Sequence, residues 1–443
     1  MERSGGSTMT RMSPDVVVVG GGLAGLTCAG LLARGGARVA LLERASALGG
    51  RAQSDAKSGF TFNLGPHALY VHGPGMDALR ALGVAVPGGN PNLRRNHLLY
   101  QGKVHRLPTG LGSLLTTSML SARGRFEAMR ALVAAQRVDA RAPASETAEA
   151  WVRRHAKDPA VVELLTAVLR LSSYTHAPDL LSAGAALENF QVAGRGVRYL
   201  DGGWGALVDA VLGAAESFGA QLRTGTVVRQ VRPSSSGWRV ELDGADALEA
   251  RAVVLAMPPQ AAAALFPSEE LRRHAEAAIP VHVAAMDLGL SRLPAPDLRF
   301  VLGVDRPLYF SVQSDLAKGV APEGEVMMQL ARYLRPGERA DAAALERELE
   351  ELLDLAQPGW RNVVRHRRFL PHLLVTPALV PAAGGGYAAR APVEAVERPG
   401  LFLAGDWVGP AGMLANASLH SAALAAEVGL ALVRPAGAAR RTA

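Results

Sequence analysis

Four consecutive β-branched residues, Val16 to Val19, run directly into Gly20-Gly21-Gly22-Leu23-Ala24-Gly25. Few other features restrict a chain this much. An apolar run without alternation suits a central parallel strand buried on both faces. Each glycine then has its own task. Gly20 permits a tight turn, Gly22 lets the backbone approach a pyrophosphate, and Gly25 lets the next helix lie close against the strand. A helix is expected over 23–34, with the amides of Leu23 and Ala24 opening it toward the phosphates. A second strand, 38–42, ends at Glu43 with Arg44 beside it. An acid roughly 20 residues beyond the glycines accepts hydrogen bonds from a ribose 2′-hydroxyl and repels a 2′-phosphate. A dinucleotide other than NADP is the expected ligand.

Two further segments bear on which dinucleotide. Gly49-Gly50-Arg51 follows Glu43 closely and brings backbone and a cation toward phosphate or flavin oxygens. That position favours FAD over NAD. Far downstream, 401–404 reads as another short buried strand, closed by Gly405-Asp406. Asp406 suits the ribityl or pyrophosphate part of a flavin cofactor; a turn or N-cap aspartate is the plainer alternative. From Met413 and Leu414 onward the residues are small and apolar, as in a helix whose N-terminal amides face a flavin edge.

By these motifs the chain resembles the flavin amine oxidase, phytoene desaturase and protoporphyrinogen oxidase superfamily. The resemblance extends to Gly59-Phe60 with Asn63-Leu64-Gly65-Pro66-His67, to Gly202-Gly203-Trp204, to 227–231 and to 252–259. It implies that Gly65, Pro66 and His67 contact the cofactor. It also implies that the backbone of Val228 meets the adenine, that Glu43 holds the ribose, and that Arg51 and Asp406 hold the rest. The last helix departs from the common pattern, with Ala417-Ser418 and Ser421-Ala422 where Gly-Ala and Ser-Gly are frequent. Some relatives tether flavin through a cysteine near the C-terminus. The sole cysteine here is Cys28, on the first helix, so FAD is expected to be non-covalent.

The implied fold class is α/β: a discontinuous Rossmann-like FAD-binding domain with an α+β substrate domain of mixed sheet and helices. The cofactor domain is assigned to 12–70, 196–265 and 395–434, the substrate domain to 71–195 and 266–394, and disordered tails to 1–11 and 435–443. Helices are expected across 111–171, on stripes that include Leu114, Leu115, Met119, Phe126, Met129, Leu132, Val133 and Trp151, with Ser145 as a cap. These stripes read as core, or in part as a membrane-facing or substrate-entry surface. Strands are expected at 281–290 and 308–330, and a charged amphipathic helix at 340–356.

The net charge of +7 is carried mainly by arginine; the lysines are Lys57, Lys103, Lys157 and Lys318. No basic block is interleaved with aromatics, which argues against a nucleic-acid partner. Weak attraction to anionic lipid, and so peripheral membrane contact, stays open. No His/Cys cluster suggests a metal. The start of the chain lacks the apolar core of a signal peptide, so a cytoplasmic location is expected.

A flavin would carry the chemistry itself, leaving the protein to position and polarise. The pocket candidates are Tyr174, Tyr387, Trp407 and His67, with core packing the alternative for each. Tyr387 and Trp407 would form an aromatic cage if they faced one another. Many amine oxidases use a lysine beside flavin N5; only Lys318 falls late enough, in a stretch that reads as a surface turn. The expected function is two-electron dehydrogenation of a small apolar organic substrate, phytoene-desaturase-like, with oxygen, a quinone or another acceptor taking the electrons. Flavin amine oxidase, protoporphyrinogen oxidase and a non-catalytic prenyl- or lipid-binding protein of the same fold are the alternatives.

Overall fold

The computed structural model describes residues 13–91, 96–108, 111–395 and 398–434. The tails expected to be disordered lie outside these described residues.

Val16–Val19 forms the centre of a five-stranded parallel sheet, as its composition demands. The order across the sheet is Gln221–Arg223, Val39–Leu42, Val16–Val19, Ala252–Leu255, Leu401–Leu403. Strands from three distant parts of the chain thus complete one sheet. Val16 and Val18 face the helices Leu23–Arg34, Gly203–Ser217 and Leu414–Val433, while Val17 and Val19 face Trp238, Val240 and Leu271. All four valines are 5% exposed or less. Each contributes roughly 1.5–3 kcal/mol relative to an exposed position. A polar residue at alternate positions would forfeit one of these two faces.

The first helix spans Leu23–Arg34. The last, Leu414–Val433, is long and apolar enough to cross a membrane, but Ala422 and Ala425 are fully buried in the core beside the first helix. Its small side chains are what allow that close packing.

The second unit is a seven-stranded mixed sheet. Its order is Val364–Thr376, Val281–Leu290, Val326–Tyr333, Leu308–Val312, Phe300–Gly303, Asn96–Tyr100, Lys103–Arg106. The charged helix, Ala342–Ala356, packs Leu345, Leu349, Leu352 and Leu353 onto one face. The other face meets a helical cluster that includes Ala122–Arg137, Ala148–His155, Pro159–Ser173 and Ala183–Gly194. The N-cap of Ala148–His155 is Thr147, whose hydroxyl accepts the Ala150 N–H, and not Ser145. Of the helical stripe, Phe126 is 62% exposed, so it is not core.

Two arginines tie the seven-stranded sheet to the stretches of chain that surround the five-stranded one. Arg368, on a strand of the larger sheet, pairs with the fully buried Asp287 at 2.6 Å and also bonds Asp55 and the Asn63 carbonyl. The second stitch, Arg51, lies in the cavity between the sheets.

Candidate functional site

A cavity of about 800 Å3 runs from the glycine turn across to the seven-stranded sheet. Gly20, Gly22, Leu23, Ala24, Glu43, Arg44, Gly49, Gly50, Arg51, Gly65, Pro66, His67, Val228, Gly405, Asp406, Met413 and Leu414 all line it. Gly25 does not; it sits behind the turn. A Cβ on Gly25 would stand 1.9 Å from the Gly20 carbonyl oxygen.

Two helices begin at this cavity. Gly22 is the N-cap of the first and Met413 of the last, and neither helix has a side-chain cap. Their leading amides are therefore free of side-chain acceptors and suited to a bound anion. No protein atom lies within 4 Å of the place a Gly22 Cβ would take. That cradle, beside helix amides, is what a pyrophosphate requires. The Glu43 carboxylate sits at its rim, accepting N–H bonds from Gly21 at 2.6 Å and Ala45 at 2.8 Å.

Arg51 and Asp406 prove to be partners. The guanidinium gives two bonds of 2.7 Å to the carboxylate and a third, of 2.6 Å, to the Val375 carbonyl. Asp406 is 2% exposed, whereas Arg51 keeps part of its surface open to the cavity. Burial pushes the Asp406 carboxyl up, but the Arg51 charge and hydrogen bonds, with the Thr376 hydroxyl, outweigh it. The net result is a value below the usual carboxylate range. Asp406 is thus an anion that anchors Arg51, and Arg51 presents the pair's open face to a ligand.

His67 lines the cavity with its ring tilted against Trp204, the centroids 4.8 Å apart. Its Nδ1 lies 2.9 Å from the Gly65 carbonyl, which assigns the proton to that nitrogen. Burial lowers its proton affinity, the Gly65 carbonyl opposes this, and the Arg51 charge adds to the lowering. The ring is neutral near pH 7.

Tyr174 also lines the cavity. It ends the helix Pro159–Ser173 with φ 55°, a left-handed conformation that side chains rarely adopt. Leu414 has φ 55° as well, so two of the four non-glycine residues with positive φ among the described residues flank this cavity. Such strain costs about 1 kcal/mol or more and persists where surrounding packing enforces it.

The other two aromatic candidates are elsewhere. Trp407 does not line the cavity: it is 3% exposed and its Nε1 donates to the Met257 carbonyl at 2.8 Å. Asp406 lines the cavity, and the next side chain, in the same turn after the strand Leu401–Leu403, packs instead with Val17, Val19 and Leu403. Tyr387 lies in the short turn Gly386–Ala389, where the Arg390 guanidinium stacks 4.7 Å from its ring centroid. It too is absent from the cavity wall, so the two rings form no cage there. Lys318 is in an exposed turn held by Asp201 and Gly202, away from the cavity.

Sequence reasoning missed Tyr70, Asn416 and Ser421. Tyr70 lines the cavity and its hydroxyl donates to the Ser172 carbonyl at 2.5 Å. Asn416 accepts the Gly75 N–H at 2.6 Å, fixing the start of the last helix. Ser421 accepts the Gly405 N–H at 2.9 Å and so holds the turn before Asp406. Asn416 and Ser421 are among the few polar residues of a helix made mostly of small and apolar ones, a signal available in the sequence.

The family model for flavin containing amine oxidoreductase matches residues 23–428. The chain belongs to that family. A flavin-containing amine oxidoreductase is an enzyme that works with a flavin, and the groove beside Gly22 has the shape and donors for one. A carotenoid 3,4-desaturase of Haloarcula japonica is 54% identical over 52 residues, 12% of this chain and 10% of that protein. AofH of Mycobacterium tuberculosis, provisionally named a flavin-containing monoamine oxidase, is 30% identical over 275 residues, 55% of this chain and 57% of AofH. These matches thus span less than two thirds of either relative. A crystal structure of an oxidoreductase from Methanosarcina mazei superposes with a TM-score of 0.75 at 19% identity, covering 93% of this chain and 99% of that one. At that identity the likeness speaks for the fold.

Proposed function

We propose that the protein holds FAD non-covalently and removes two electrons from an uncharged, apolar organic substrate, as a phytoene-desaturase-like dehydrogenase. One observation carries this reading: the distribution of charge in the cavity wall. The charged lining residues are Glu43, Arg44, Arg51 and Asp406, all on turns of the five-stranded sheet and its neighbours. The part supplied by the seven-stranded sheet and the helical cluster is Tyr174, Val283, Ala331, Leu373, Leu374 and Val375. An ammonium group would find no carboxylate there, and the acidic side chains of a porphyrinogen no cation. Leaving either charge unpaired in an apolar wall costs several kcal/mol.

Bound flavin would accept the hydride and pass the electrons on to oxygen, a quinone or another acceptor. The chain's own contribution is placement. Glu43 would take the ribose, the amides after Gly22 the pyrophosphate, and Arg51, fixed by Asp406, the more distant oxygens. Val283, Ala331 and Leu373 would exclude water from the reacting carbon. Cys28 is fully buried on the first helix, outside the cavity wall, and burial pushes its thiol up, which supports non-covalent binding.

The longer match to AofH favours a second reading, an amine oxidase, with Tyr70 and Tyr174 as aromatic walls for a neutral amine. No lysine lines the cavity among the described residues, which counts against it. Anaerobic mixing with a polyene, an amine and a porphyrinogen separates the readings. Bleaching of the flavin by the polyene alone is expected. Bleaching by the amine, with none by the polyene, overturns the proposal in favour of the second reading.

A further inference from the structure

We propose that the surface formed by the strand Lys103–Arg106 and the helix Ala122–Arg137 docks the protein onto an anionic lipid bilayer. The helix Ala122–Arg137 buries Glu127, Ala128, Ala131 and Ala135. On the opposite side it exposes Arg123, Phe126, Arg130, Val133 and Arg137, a spacing that aligns all five on one face. Phe126 is 62% exposed, more than any other large hydrophobic residue among those described. Val133 is 36% exposed. The edge strand Lys103–Arg106 is tied to the segment that leads into this helix, because His105 Nδ1 lies 3.1 Å from the hydroxyl of Ser118. It adds Lys103 and Arg106, both exposed, and Val104 at 39%.

Charge is concentrated here to an unusual degree. Residues 103–137 contain six Lys or Arg against one acidic residue, so they carry +5 of the chain's net +7. That acid, Glu127, is 8% exposed and is spent on the backbone N–H groups of Lys157 and Asp158. Arg123, Arg130 and Arg137 have no carboxylate in ion-pair reach among the described residues, whereas Arg361 and Arg367, which reach the helix Ala342–Ala356 from outside it, are paired with its carboxylates.

Apolar side chains set among unpaired cations match the boundary of a bilayer. The guanidinium groups meet lipid phosphates, while Phe126, Val104 and Val133 enter the acyl edge. A second copy of the same surface would bring like charge against like. A nucleic acid would satisfy the cations and leave the apolar groups in water. The inference rests on the reading of an apolar substrate, which partitions into lipid, but docking itself is read without that substrate.

The test is co-sedimentation of the full-length, flavin-loaded protein with vesicles. One set is phosphatidylcholine alone; the other mixes it equally with phosphatidylglycerol. The protein should sediment with the mixed vesicles, not with the neutral ones, and less at high salt. Arg123→Glu with Arg130→Glu should weaken binding about tenfold or more, and Phe126→Ser should weaken it less but measurably, all with flavin retained. No binding by the unaltered protein, equal binding to neutral vesicles, or undiminished binding by either variant overturns the proposal. So does duplex DNA that binds as tightly as the mixed vesicles, indifferent to Phe126→Ser. Loss of docking with the polyene still bleaching the flavin in detergent would leave the substrate reading intact.

Discussion

Arg51→Ala is expected to leave the protein nearly free of flavin and measurably less stable. Arg51 connects three separate stretches of chain: its own turn, the Asp406 carboxylate and the Val375 carbonyl. Removing it leaves Asp406, 2% exposed, as a buried carboxylate with its main partner gone. Breaking a fully buried pair costs about 3–5 kcal/mol. Arg51 is partly open to the cavity, so about 2 kcal/mol is the better expectation, a change of roughly 30-fold in the folding equilibrium. Flavin affinity should fall further, since the cation that faces the cofactor also goes. Flavin-to-protein absorbance and the thermal midpoint of the apoprotein measure the two effects separately. The pair also predicts a pH dependence. The Asp406 carboxyl titrates below its ordinary value in the folded protein. Its stabilisation is therefore complete above about pH 4 and is lost only as pH falls through that depressed value. The stability difference between the unaltered chain and Arg51→Ala should accordingly be full above about pH 4 and shrink as pH falls below it.

Gly22→Val is expected to have an equally large effect on flavin and almost none on folding. Gly22 has φ −74° and ψ 179°, which any residue adopts, and no protein atom lies within 4 Å of its would-be Cβ. The valine side chain would occupy only the cradle. Flavin affinity should drop about 100-fold, because a pyrophosphate cannot approach a branched side chain at the helix amides. The thermal midpoint of the apoprotein should stay within about a degree, since the substitution meets no packed neighbour. Gly25→Ala provides the contrast. Its Cβ would lie 1.9 Å from a backbone oxygen that cannot move without breaking the turn. That variant should lose stability as well as flavin. If the two glycine variants behave alike, the assignment of Gly22 to the ligand and Gly25 to packing is wrong.

The N-terminal half of this site is legible in the sequence because its parts are local. The strand, turn and helix of residues 16–34 are contiguous, and each is specified by its own residues. The C-terminal half is legible only as a pattern. Asp406 stands out as a cofactor residue, yet nothing in the chain says that it binds Arg51, 355 positions away. Trp407 shows a different limit. Both residues lie in the turn after the strand Leu401–Leu403, and the path of that turn sends Asp406 to the cavity and Trp407 into the core with Val17 and Val19. Strands at 281–290 and within 308–330 can be anticipated from composition, but not that the strand Val326–Tyr333 runs past that bound or that Val283 and Ala331 are the side chains facing the cavity. That choice is made by register against neighbouring strands, which no local pattern encodes. Phe126 stands in a helical stripe that reads as core, and only the packing of the helix reveals that its ring points outward.

The visible spectrum of the purified protein, followed by release of its chromophore, tests most directly whether this chain is a flavoprotein. The absorption bands of an oxidised flavin are expected on the native protein. Heating or acid should then free the chromophore quantitatively into the supernatant, where it is FAD. A colourless protein that stays colourless after addition of FAD would contradict the cofactor assignment and everything built on it.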